Sequence, residues 1–426
     1  YHTGVILMNY SFATEGQKDM STLVPGMFLM IIVMLSLLLR SITGMLMTLV
    51  VIFLTITATM GTGGWFGYFL STGTINVPIV VMTLAVADCV HLVASTQFAL
   101  RQGKSRKEAV EFAMDLNLMP VFITSATTAI GFLTLMFSES PVLADFGEMS
   151  AMGVMIAFFL SVTLLPALMV IIPMRVKVAP EHHGGMEKLA DWVIKHNKII
   201  LPVSSAVMLF FACLVPLNEI NDEATKYFDK STSFRQSVDK QEETISGMSS
   251  ISWGLYSGEE NGINNPQFVK VISDFSDWLR VQPETDHVQT ISDTIKRLNK
   301  SMNGDNEEFY RLPKERELTA QYLLMYEMSL PYGLDLNNQL NIDKSSTRIV
   351  STLKNLGSKE YVAMEQRAIE WFATNAPNVR MTASSPTLMF SHIGETNMDS
   401  MIISMIAAMF LISLLLVFAL RSFRLG

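Results

Sequence analysis

Charge is what this chain lacks. Only 16% of its 426 residues are Asp, Glu, Lys or Arg, against about 25% in a typical soluble domain. Half of the residues are hydrophobic, and the mean hydropathy is +0.33. Over this length the deficit excludes an ordinary soluble protein. Cysteine is nearly absent as well. Cys89 and Cys213 both fall inside apolar runs, so neither a disulfide framework nor a zinc site can be built from them. The net charge is −8 and no basic cluster with interleaved aromatics occurs, which argues against nucleic-acid binding. There is no HExxH, no P-loop pattern and no evident nucleophile–base pair, so an enzyme is not expected. No cofactor or metal is expected either. His182-His183 lies in a charged connector and reads as solvated linker.

Long uncharged runs are what the chain has instead. A membrane-crossing helix needs about 20 predominantly apolar residues. Uncharged stretches run over Ser21–Leu39, Ser41–Ala87, Leu116–Ser138, Met149–Met174, Ile199–Asn218 and Ser400–Leu420. The second is too long for one crossing and breaks at Ser71-Thr-Gly-Thr-Ile-Asn76, giving spans near 45–70 and 76–100. Seven spans result. Lys and Arg favour cytoplasmic loops. Of the 13 outside 218–397, 12 fall in alternate loops, and only Lys18 falls on the other side. Region 218–397 is therefore expected outside the cytoplasm, in a multi-pass protein of the cell (inner) membrane.

That region differs in kind. It holds 26 acidic and 18 basic residues, leaving 13 of each in the rest of the chain. The whole net charge thus belongs to one soluble domain. Strands are predicted at Ile251–Tyr256, Val288–Ile291, Arg348–Lys354 and Val379–Ala383. Helices are predicted after Pro266, over Leu318–Met328 and over Ser358–Ala376. Two β-α-β passes suggest a split βαβ sandwich. The expected organisation is the end of a first outside domain (1–20), a five-span bundle (21–174) and a cytoplasmic connector (175–198). A span (199–217), the α/β domain (218–397), a last span (398–421) and a truncated cytoplasmic start (422–426) follow.

The chain also repeats itself. Shifted by 381 residues, Leu7-Met8 falls on Leu388-Met389, span 21–39 on 402–420, and Arg40-Ser41 on Arg421-Ser422. Duplicated halves are common in transporters. Tyr1 at the start and the stop just beyond an apolar run read as a piece of a longer chain, whose next segment would repeat 45–172.

One residue carries chemistry. Between Ser41 and Leu100 the sole charged residue is Asp88, 12 residues from either end of its span. An ionisable group at the bilayer midplane costs roughly 2.5–3.5 kcal/mol on insertion scales and is by default functional. A carboxyl at that depth can load and release a proton, and histidine is the side-chain type suited to pass one on. His91 and Ser95 lie three and seven residues on, predicting one shared helix face. These suit a proton relay, with protons as the coupling ion. A hydrogen-bonding hub is the plainer alternative for Asp88, and a packing residue for His91. Thr124, Ser125, Thr127 and Thr128 form a hydroxyl cluster, from which Thr124, Thr127 and Thr128 join Ser95 as candidate relay or helix-contact groups. Gly61, Gly63, Gly64 and Gly67 mark close packing or a hinge, Gly61 and Gly64 foremost with Gly131 of a later span. Trp65 and Tyr68 read as interface-belt residues.

Ala85-Val-Ala-Asp-Cys-Val-His91-Leu is followed by Pro120-Val-Phe-Ile-Thr-Ser-Ala-Thr-Thr128-Ala-Ile-Gly131-Phe132-Leu. Phe146-Gly147, Gly153 and Leu165-Pro166-Ala167-Leu168 complete the pattern. This resembles the RND superfamily of exporters, and within it the MMPL-like branch, whose membrane half is akin to the sterol-sensing domain. The resemblance implies a polytopic α-helical membrane protein with an extracytoplasmic, ferredoxin-like porter domain, here covering spans two to eight. It places Asp88 on the family's proton-carrying position and His91 on a His found one turn later. Ala87 stands where many members have a second Asp and Ala85 where Gly is usual, which puts proton stoichiometry in question. The implied activity is proton-driven efflux of hydrophobic or amphiphilic molecules such as lipids or drugs. The implied partners are the bilayer, the substrate, the remaining half of the same polypeptide and, as an open option, a second copy. A non-pumping lipid or sterol sensor or scaffold of the same architecture is the alternative, with a component of protein export behind it. Alone, residues 1–426 are not expected to transport.

Overall fold

The computed structural model describes residues 2–71, 73–174, 185–218, 221–331 and 336–421. His182, His183 and the first part of the connector, 175–184, lie outside them. The chain divides into two compact units, one of residues 1–17 with 220–395 and one of residues 18–219 with 396–426.

The second unit is built on α1 (Val5–Leu39), α2 (Ile42–Phe66), α3 (Val77–Arg101), α4 (Arg106–Leu133) and α5 (Pro141–Ile171). Among the described residues seven helices are long and apolar enough to cross a membrane. The other two are α7 (Asn197–Leu214), which follows the short amphipathic α6 (Gly185–Lys195), and α13 (Pro386–Leu420). The ends follow local chemistry. Ser41 caps α2 by accepting from the Gly44 amide at 3.3 Å, and α2 stops at Gly67, whose φ of 81° suits glycine. A capping box of Ser105 and Glu108 starts α4, ten residues before the uncharged run that predicted it. Likewise α5 starts at Pro141 rather than Met149, because Pro at a first turn needs no amide partner.

Inside the bundle, α5 packs on α2, α3 and α4. The end of α1 joins through Leu35 and Leu39, which pack with Met47, Val51, Cys89 and Leu92. Close approach depends on three glycines. A Cβ at Gly63 would sit 2.6 Å from the Met149 methyl, one at Gly147 would strike the Leu135 side chain at 2.8 Å, and one at Gly153 would meet Thr59 at 2.9 Å. The close-packing expectation for Gly61, Gly64 and Gly131 is corrected here. Nothing lies within 4 Å of a Cβ at any of them, because one step along a helix turns a residue by about 100° and Gly63 takes the inward direction. Buried Thr48, Thr55 and Thr59 return their hydroxyls to the carbonyls four residues back at 2.8–3.0 Å. In α7, by contrast, no side chain is buried.

The first unit is an α/β domain. In chain order it contains α8 (Ser233–Thr244), β1 (Ser249–Tyr256), α9 (Pro266–Arg280), β2 (Thr285–Gln289), α10 (Ile291–Met302), α11 (Arg316–Ser329), β3 (Ser346–Leu353), α12 (Ser358–Asn375) and β4 (Arg380–Ser384). The strands form one sheet in the order β2-β3-β1-β4, every neighbouring pair antiparallel. Trp253 pairs with Ile349 on one side and Ala383 on the other. Its indole donates to Ser351 Oγ at 2.9 Å, so a fully buried indole N–H is satisfied. Phe275 of α9 meets Trp253 edge-on at 5.6 Å and Phe372 of α12 at 4.6 Å. Ile272, Leu279, Met364 and Ala368 complete this core.

All four predicted strands shift by one to three residues at an end. Ile291 opens α10 instead of closing a strand, since Thr290 caps that helix by accepting from the Ser292 amide. Helices α6, α8 and α10 were not anticipated. The offset between α1 and α13 is 381 residues at both ends, the shift read from the sequence. Each helix is 35 residues long, and each is followed by an Arg with positive φ, Arg40 at 45° and Arg421 at 49°. Each is one uninterrupted helix.

Candidate functional site

Asp88 sits mid-way along α3 and is 7% exposed. Its neighbours on the inward face, Ala85, Cys89 and Leu92, are fully buried. Ser125 of α4, also buried, donates its hydroxyl to Asp88 Oδ2 at 3.1 Å. The lone carboxyl of the region is thus held by a neutral donor in an apolar setting. An ionised carboxylate without an opposite charge is expensive there. The neutral acid needs less.

A second polar rung joins the same helices. Asn117 Nδ2 donates to Ser95 Oγ at 2.8 Å and to the Ala113 carbonyl at 2.8 Å. From Asp88 to Ser95 the chain advances seven residues on α3, while from Ser125 to Asn117 it retreats eight on α4. The helices therefore run antiparallel, with rungs about 10 Å apart at 1.5 Å per residue. Ser95 is a helix-contact group, as its candidacy allowed.

The other expected members separate. His91 falls on the exposed side of α3 with Thr83, Ala87, Ala94 and Phe98, so burial divides the face that Asp88, His91 and Ser95 were expected to share. Three residues along a helix is a turn of about 300°, not a full circle, and the α3–α4 contact falls on the Asp88 side. Thr124 bonds the Pro120 and Val121 carbonyls at 3.1 and 2.9 Å. Thr127 and Thr128 both bond the Thr124 carbonyl, at 2.9 and 2.7 Å. These three hydroxyls satisfy their own helix, and the cluster member that reaches Asp88 is Ser125. Ser125 and Asn117 are the groups that sequence reasoning did not single out. Antiparallel register would have indicated both, once α3 and α4 were known to pair. Tyr68 is also more than a belt residue. Its hydroxyl donates to Glu148 of α5. Trp65 is 89% exposed.

Comparison with known proteins adds an independent finding. Residues 1–196, which include α1 to α5 and the Asp88 site, match the MMPL family. The transport protein MmpL8 of Mycobacterium bovis is 30% identical over 218 residues, 50% of this chain and 20% of that protein. The sulfolipid-1 exporter MmpL8 of Mycobacterium tuberculosis is 30% identical over 140 residues, 32% of this chain and 13% of the exporter. Over residues 1–196 the chain is thus similar to MMPL membrane proteins. A membrane protein of Methanocaldococcus jannaschii is 32% identical over 117 residues, 27% of this chain and 30% of that protein. The MMPL-like chain thus spans less than a third of the length of each of these relatives. Among its described residues no group of three or more His, Cys, Asp or Glu is arranged to hold a metal ion.

Proposed function

We propose that this chain forms part of a secondary transporter that uses the proton-motive force to export hydrophobic or amphiphilic molecules, with lipids as the leading class. One observation carries the reading. The single carboxylate between Ser41 and Leu100 is buried half-way along α3 and held by the hydroxyl of Ser125. Similarity to a sulfolipid-1 exporter supports lipid as the cargo.

In this reading Asp88 alternates between charged and neutral forms. Ionisation demands a better-solvated arrangement of α3 and α4, and protonation permits tight packing, so proton uptake biases two packings of the bundle. The membrane potential supplies about 2.3 kcal/mol per charge per 100 mV. The change passes along α1 and α13, which are continuous helices. The sheet order β2-β3-β1-β4 supports reading the α/β domain as a ferredoxin-like porter module. It would lie on the outer side of an inner membrane, which the Lys/Arg distribution supports. His91, on the exposed side of α3, would serve a proton path only with a group from another segment, for which the remaining half of the polypeptide is the natural source.

The test is carbodiimide labelling of the full-length protein in native membranes, followed by mass spectrometry from about pH 5 to about pH 9. The blank is Asp88→Asn. Labelling at Asp88 with a midpoint inside that range, together with loss of lipid transport in Asp88→Asn, is expected. Absence of labelling at every pH would make Asp88 a fixed hub and bring forward a lipid sensor or scaffold without pumping.

A further inference from the structure

The α/β domain contains a cavity of about 70 Å3. The first turns of α1 and α13 contribute Met8 and Phe390 to its lining, and Met248 and Leu356 add further apolar groups. Asp222 and Glu223 also line it. The space accommodates several water-sized groups. That is room for a small polar head and its first methylenes, and too little for a whole acyl chain.

Glu223 decides the chemistry. Its side chain is 16% exposed, and its Oε2 meets Lys226 Nζ at 2.7 Å. Its Oε1 accepts from Thr225 Oγ1 at 2.9 Å. The counter-ion is unlike the carboxylate, for the Lys226 side chain is 66% exposed. A pair with one long side chain in water contributes little, so Lys226 leaves at small cost. Glu223, largely withdrawn from water, cannot be left without a cation as cheaply. The cavity therefore joins an apolar wall to a sheltered anion whose present partner is exchangeable. An anionic head would face Glu223 and Asp222 together.

We propose that this cavity binds the cationic head of an amphiphile, an alkylammonium whose nitrogen replaces Lys226 at Glu223 while its first methylenes lie on Met8, Met248, Leu356 and Phe390. Its role in transport rests on the proposed function, and its binding does not. Because α1 and α13 both contribute to the wall, a bound head would bridge the first turns of the two long helices.

The probe is a photoreactive dodecyltrimethylammonium, added to the full-length protein in nanodiscs of neutral lipid. Cross-links are mapped by mass spectrometry. Labelling is expected on the peptides carrying Met248 and Phe390. Unlabelled dodecyltrimethylammonium should displace it, and equal concentrations of dodecyl sulfate should not. Glu223→Gln should weaken binding about tenfold, whereas Lys226→Ala, by removing the competing cation, should tighten it about threefold. Opposite effects from two residues of one ion pair are not what a merely damaged fold produces, and Lys226 is exposed enough for its loss to leave the fold intact. Displacement by tetramethylammonium would support the dissolved head as a sufficient ligand. Its failure to displace would support an amphiphile delivered from the bilayer. Equal displacement by dodecyl sulfate, or unchanged or weaker binding in Lys226→Ala, would overturn the site. Labelling without transport would overturn the transport reading alone, and transport without labelling would overturn only this site.

Discussion

Between Ser41 and Leu100 the helix bundle carries one charged side chain, Asp88, and buries it. The α/β domain carries dozens, and some of its ion pairs, such as Lys270 with Asp274 at 2.9 Å, have both partners at least half exposed. The two regions also fill their interiors differently. The domain packs Trp253, Phe275 and Phe372 against one sheet. The bundle brings helices together over Gly63, Gly147 and Gly153 and returns threonine hydroxyls to its own backbone. In water, burying large rings drives association. In lipid that force is missing, and closeness of backbones takes its place. A charge therefore means different things in the two regions. Asp274 stands in water, whereas Asp88 is held in an apolar setting by the Ser125 hydroxyl.

The sharpest break of this comparison is to neutralise one charge in each region. Asp88→Asn is expected to abolish proton-coupled transport while leaving the bundle folded, as judged by thermal melting in detergent. Lys270→Ala is expected to leave transport intact and to change the domain's stability by no more than about 0.5 kcal/mol. Equal effects would remove the reason to separate the two kinds of charge.

Packing gives the next contrast. Trp253→Ala removes a fully buried ring and its bond to Ser351, and should cost about 3–5 kcal/mol in denaturant unfolding of the domain. In the bundle the damaging change goes the other way, from small to larger. Gly153→Ala drives a methyl into Thr59 and Val81 and should cost about 1–3 kcal/mol. Gly61→Ala meets open space and should be neutral or stabilising by up to about 1 kcal/mol, from helix propensity alone. Parallel destabilisation by the two alanines would show that backbone closeness is not what holds α2, α3 and α5.

What the sequence made legible follows the same division. The apolar runs and their charge-free length located the spans, and the 381-residue shift anticipated that α1 and α13 are equivalent helices. Alternation located the four strands to within a few residues. Helix α8 escaped because Phe234 and Val238 are its only buried apolar anchors, too few to establish a period. Helix α10 was announced by Thr290 and the Ile291–Ile295 spacing, but Ile291 also extends a short apolar run and was read as strand. Asp88 was visible because it is alone. Its partner was not, since Thr124, Ser125, Thr127 and Thr128 are chemically alike in sequence and only the rotation of α4 selects among them. The glycines failed for the same reason. Gly61, Gly63 and Gly64 differ in direction, not in type.

The smallest expected effect tests that rotational selection directly. Ser125→Ala removes the hydroxyl that Asp88 accepts, while Asp88 itself remains to carry the proton. A hydrogen bond to a charged group contributes about 1.5–3 kcal/mol, so the transport rate should fall by about tenfold or more if the bond is kept in the rate-limiting state. Thr128→Ala takes away a hydroxyl of the same cluster that bonds only the Thr124 carbonyl, and the rate should stay within about twofold of the starting protein. Ser125→Thr restores the donor and should recover most of the loss. If Thr128→Ala slowed transport as much as Ser125→Ala, the four hydroxyls would act as one water-linked chain. The direct contact between α4 and Asp88 would then be incidental to proton movement.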